Sequence, residues 1–66
     1  MNNDQLAGKW KQMRGAIKKQ WGNLTDDELD KAGGNYDMLI GKIQERHGDS
    51  REAIERKLDE MSRHAA

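Results

Sequence analysis

Apolar residues recur along this chain at helical steps. Leu6, Trp10, Met13, Ile17 and Trp21 are separated by four, three, four and four positions, which places them on one face of an α-helix. The spacing predicts a helix over 4–21 that Asn3 or Asp4 can cap. A second helix is predicted over 34–47, where Tyr36, Leu39, Ile40, Ile43 and His47 form the stripe after a Gly33-Gly34 break. Between the two, Thr25 with Glu28 three residues on makes a capping box, and Asp26 and Asp27 suit the positive end of a helix dipole, so a short helix is expected there. Asp49 or Ser50 can cap a last helix with Glu52 in its first turn and Ile54, Leu58, Met61 and Ala65 on its stripe, fraying near Ser62. No proline interrupts these segments and no alternating pattern supports a strand. The expected fold is all-α, a single small four-helix domain over 1–66 with a core of Leu6, Trp10, Met13, Ile17, Trp21, Tyr36, Leu39, Ile43, Ile54 and Leu58.

The glycines add a repeat to this pattern. Gly8, Gly15 and Gly22 are seven apart, and Gly34, Gly41 and Gly48 repeat the spacing 26 residues later. Superposing the halves pairs Trp10 with Tyr36, Met13 with Leu39, Ile17 with Ile43, Trp21 with His47 and Asn23 with Asp49, leaving only Gly33 outside. Pseudo-repeats over about 8–31 and 34–62 follow, each a long-short helical hairpin that must bury its apolar face against the other. Gly22 before Asn23 and Gly48 before Asp49 suggest that both long helices end in a left-handed residue. On a helical wheel the first three glycines lie about 160 to 200 degrees from Leu6, opposite the stripe, and the second three likewise face away from Tyr36, Ile43 and His47. Gly15 and Gly41 then occupy helix interiors, at a cost of about 1 kcal/mol each relative to alanine.

Composition limits how stable such a domain can be. A chain of 66 residues has room for one core and buries only about 60% of its unfolded surface. No cysteine is present to staple it, which fits a reducing compartment. Apolar residues make up 33%, charged residues 36%, and mean hydropathy is −1.20, close to the border where conformational entropy wins and part of a chain stays disordered. No apolar run is long enough for a signal peptide or a membrane span, so a cytoplasmic protein is expected. The net charge of zero conceals a local asymmetry. Residues 1–24 carry Lys9, Lys11, Arg14, Lys18 and Lys19 against Asp4, whereas residues 25–38 carry Asp26, Asp27, Glu28, Asp30 and Asp37 against Lys31. Internal attraction between the two segments is the first consequence.

The run from Gly15 to Leu29, Gly-Ala-Ile-Lys-Lys-Gln-Trp-Gly-Asn-Leu-Thr-Asp-Asp-Glu-Leu, followed by Gly41-Lys42-Ile43-Gln44-Glu45-Arg46-His47-Gly48, resembles the CsbD-like family of small bacterial proteins. The likeness covers nearly the whole chain and departs at His47, where that family more often has tyrosine. It implies a small helical fold and an association with the general bacterial stress response. It brings no catalytic or ligand residues to carry over.

The residues themselves offer little chemistry. His47 and His64 lack ligand partners at helical spacing, so His47 is expected as a packed structural residue rather than a metal ligand. The run Asp26-Asp27-Glu28-x-Asp30 lacks the alternating oxygens and central glycine of a calcium loop and suits a helix start. Ser50, Ser62 and Thr25 have no nucleophile elbow around them, and glycines at steps of seven do not form a phosphate loop. Trp10, Trp21 and Tyr36 lie on apolar stripes, which favours core anchoring over base stacking. The one surface with content is the flank of the first helix, where Lys11, Arg14 and Lys18 stand about 80 to 140 degrees from the stripe and could meet phosphates. The rival reading has that flank pairing with the acidic segment. A non-enzymatic interaction or protective protein is expected, with no cofactor and no small-molecule substrate. A hydrophilin-like protectant is the alternative, as is a binder of nucleic acid or an anionic membrane surface through Lys11, Arg14 and Lys18.

Overall fold

The computed structural model describes residues 2–64, which form five helices and no strand: α1 Asn3–Gly8, α2 Trp10–Gln20, α3 Asp26–Ala32, α4 Tyr36–His47 and α5 Arg51–His64. Ala65, expected on the last stripe, lies outside the described residues. The all-helical expectation holds, while the count of four is corrected to five because the first helix breaks at Lys9. There the backbone leaves helical values for φ −109° and ψ 8°. The break lets α1 reach two other helices. Asn3 Oδ1 accepts the Tyr36 amide at the start of α4 at 2.8 Å, and Lys9 Nζ donates to the Ser62 carbonyl at 2.8 Å.

The caps differ in detail from expectation. Asn2, not Asn3 or Asp4, caps α1, in a reciprocal box with Gln5, because the Asn3 side chain is committed to α4. Thr25 and Glu28 form the expected box at α3, Asn35 caps α4 and Ser50 starts α5 by accepting the Ala53 amide at 3.2 Å. α5 does not fray at Ser62 but continues to His64, since Lys9 supplies a charged donor to one of the carbonyls a helix end leaves open. At 14 residues α5 is longer than the 12 of α4, so the second pair is not long-short.

Gly48 ends α4 in the left-handed conformation with φ +70°, whereas Gly22 has no positive φ. The two long helices therefore end differently. α2 stops instead at Trp21, at φ −122° and ψ 78°, and a turn closed by the Leu24 amide on the Trp21 carbonyl at 3.1 Å follows. That exit buries both the Trp21 indole and Leu24.

The core is one seam. Leu6, Met13, Ile17, Trp21, Tyr36, Leu39, Ile43, Ile54 and Leu58 are buried, joined by Leu24, Leu29, Ala32 and Ile40; Trp10 is only partly buried and packs on the seam's edge. Around it α1 packs on α2, α2 on α5, α5 on α4 and α4 on α3. The radius of gyration, 10.4 Å, is about what a packed chain of this length has. Gly15 and Gly41 lie outside this seam, and a methyl group built at either meets nothing within 4 Å. Gly34 differs: it is buried rather than turned outward, with φ +90°, and a β-carbon there would stand 2.9 Å from Ala7 Cα.

These positions separate by sign. Gly15→Ala and Gly41→Ala each raise stability by about 1 kcal/mol, a thermal shift of about 4 to 8 °C for a domain of this size. Gly34→Ala lowers it by about 1 to 3 kcal/mol or more through backbone strain and the clash with α1. Thermal unfolding followed by circular dichroism reads all three.

Burial, helped by the nearby charges of Glu55 and Asp59, pushes the Tyr36 phenol up to about 12. Since the folded state holds the proton more tightly, stability from this group is complete below about pH 10 and is lost as pH rises through 12. Tyr36 is the sole tyrosine, so an absorbance titration of its ionisation near 295 nm gives a midpoint close to 12 in the folded protein; a midpoint near 10 contradicts the packing.

Candidate functional site

α2 carries Lys11, Arg14, Lys18 and Lys19 and no acidic residue, while α3 opens with Asp26, Asp27 and Glu28. The fold sets the two charged flanks side by side. Arg14 Nη1 pairs with Asp30 and Nη2 lies 3.8 Å from Asp26, and Lys18 Nζ donates to Asp26 at 2.7 Å. The hydrogen bond and charge of Lys18, then the charge of Arg14, hold the Asp26 carboxyl below its usual range. Of the three cations singled out on this flank, two are thus engaged with α3, and Lys11 stands exposed without an ion pair among the described residues. Exposed pairs of this kind add little stability singly and weaken with salt.

The other side of α3 is clasped more tightly. Glu28 is nearly buried, and its two carboxylate oxygens divide their work. Oε1 accepts the Thr25 amide at 3.0 Å and Oε2 accepts Arg46 Nε and Nη2 from α4 at 2.9 and 2.8 Å. One residue therefore completes a cap and joins two helices. No signal along the sequence links positions 28 and 46.

The histidines do not meet. His47 is half-buried at the end of α4, with its Nε2 buried and without a hydrogen-bond partner, and His64 is exposed at the end of α5. Trp21 Nε1 donates to Asp49 Oδ2 at 3.3 Å and Lys57 Nζ stands 6.0 Å above the ring. Among the described residues no three His, Cys, Asp or Glu side chains gather as a metal site, and no helix is long and apolar enough to cross a membrane.

A groove of about 400 Å³ opens between α2 and α5. Met13 and Met61 lie at its floor, and Gln12, Ala16 and Gln20 along one helix face Lys57, Glu60 and His64 from the other. Ala16, small and exposed, stands on its α2 side. None of its residues was singled out from the sequence as a site, since a helical stripe shows which residues go inward but not where two helices fail to close.

The CsbD-like family model matches residues 4–56. The chain belongs to the CsbD-like family. This CsbD-like chain is 50% identical over 62 residues to a UPF0337 protein of Pseudomonas aeruginosa, covering 94% of the chain and 95% of that relative. It is 48% identical over 64 residues to one of Pectobacterium atrosepticum, covering 97% and 93%, and 53% identical over 61 residues to one of Bordetella pertussis, covering 92% of each. No solved structure matches it significantly.

The Glu28 clasp gives this CsbD-like domain an acid limb. The hydrogen bond from the Thr25 backbone, then Arg46, holds the carboxyl below the usual 4.5. Its contribution is therefore complete above pH 4.5 and is lost as pH falls through the lower folded-state value. Glu28→Gln lowers the melting temperature at pH 7 and flattens its dependence on pH below 4.5, measured by thermal denaturation across that range; an unchanged acid slope contradicts the clasp.

Proposed function

We propose that this CsbD-like chain is a non-enzymatic, cytoplasmic protein of the general bacterial stress response that acts by binding a protein partner through the α2–α5 groove. The observation that carries this reading is the groove itself, an apolar floor of Met13 and Met61 beside the small Ala16, left open between α2 and α5. Methionine floors adapt their shape to what covers them, and mixed charge on the rim suits a protein surface better than a phosphate backbone. An anionic partner is disfavoured because Arg14 and Lys18 already spend their charge on Asp26 and Asp30.

A second reading, a hydrophilin-like protectant, draws support from Gly15 and Gly41, which weaken two helices with no packing reason. One variant separates the two. Ala16→Glu places a charge on the α2 side of the groove at an exposed position, leaving helicity and overall composition intact. Complementation of a deletion strain under salt, heat and ethanol stress is expected to fall to the level of the empty vector. Survival equal to the wild type would overturn the partner reading in favour of bulk protection.

A further inference from the structure

We infer that the α2–α5 groove is the face on which a second copy of this chain docks, making an isologous dimer; this rests on the groove being the contact surface proposed above. The argument is the order of side chains along its two rims. On α2, Gln12 and Gln20 stand four residues either side of Ala16, and on α5, Lys57 and Glu60 stand adjacent on the groove flank. A two-fold axis lying across the groove, over Ala16 and between Lys57 and Glu60, lays each helix antiparallel on its own copy. In that register Gln12, Ala16, Gln20, Lys57 and Glu60 each find a complement.

Ala16 meets Ala16 of the second copy, the closest approach two helices can make short of glycine. Gln12 meets Gln20 of the second copy, amide to amide, twice. Lys57 meets Glu60 of the second copy, also twice, so the symmetry turns a neighbouring pair on one helix into two intermolecular ion pairs. The shift of Arg14 and Lys18 toward α3 matters here, because it leaves the α2 rim at Gln12, Ala16 and Gln20 uncharged and free of like-charge repulsion. Met61, only partly buried in the single chain, then loses its remaining contact with water.

The contact is small. α2 and α5 are 11 and 14 residues long, about 16 and 21 Å at 1.5 Å per residue, which places the interface at the low end of size and the dissociation constant on the order of 100 μM. Sedimentation equilibrium from about 10 μM to 1 mM at low salt reads it as a rise from 7.6 kDa toward twice that mass. Glu60→Lys, which sets two lysines against each other at both symmetric contacts, is expected to weaken the dimer about tenfold or more, and Ala16→Glu on the axis does the same. The double exchange Lys57→Glu with Glu60→Lys restores it to within about threefold, a rescue that only pairing between these two positions across copies produces. Circular dichroism confirms that each variant keeps its helicity.

A wild-type mass of 7.6 kDa at every concentration overturns the inference, and so does a dimer that Glu60→Lys leaves intact or that leaves the Met13 and Met61 methyl resonances unmoved. Groove-dependent stress survival by a chain that stays monomeric would remove the second copy as occupant and leave a different protein in its place. Survival indifferent to Ala16→Glu would remove the partner reading as well.

Discussion

Among the described residues thirteen buried apolar side chains in one seam hold all five helices, and no helix here is a stable object without it. α1 has six residues and α3 seven, well short of the roughly 12 to 15 at which an isolated helix becomes marginal in water. α2 and α4 are longer, but each carries a glycine at an open interior position that weakens it further. Helix formation and burial are therefore one event. A chain with 33% apolar residues has little spare, which is why Leu24, Ala32 and the single tyrosine are all drawn inward.

Polar groups decide how the seam is closed. α3 buries Leu29 and Ala32 but is too short to fix its own direction, and its charges do that work: Asp26 and Asp30 toward α2, Glu28 toward α4. α1 is fixed in the same way, with Asn3 on the start of α4 and Lys9 on the end of α5. Gly34 permits this, since Ala7 lies where any other residue would hold its β-carbon. The two short helices thus act as straps across the three longer ones.

Local features were legible from the sequence and joints were not. The stripes Leu6–Met13–Ile17–Trp21 and Tyr36–Leu39–Ile43 reveal their burial through spacing alone, and Thr25 with Glu28 reveals a helix start, because these signals live within a few residues of one another. The break at Lys9 has no such signal: the apolar period runs straight through it, and only the distant Ser62 carbonyl and Tyr36 amide explain it. Gly22 misled for a related reason. It stands at the same lattice position as Gly48, yet the need to bury Trp21 and Leu24 together chose a different exit from the helix. The groove was invisible because it depends on the spacing between α2 and α5, set by helices elsewhere.

The groove and the weakness of α2 are adjacent, and that adjacency has an energetic consequence. Gly15 and Ala16 follow one another, the first exposing helix backbone and the second leaving space against α5. Any occupant that covers Ala16 binds only the folded helix, so its binding free energy adds to the stability of α2. The interior glycine sets how much of that stability is absent until the groove is covered. Replacing Gly15 with alanine pre-forms the helix and tightens binding if local unfolding of α2 competes with it, because the fraction of chains able to bind rises while the contact itself is unchanged. Under the proposed groove binding, a stronger helix makes the domain less dependent on whatever covers Ala16.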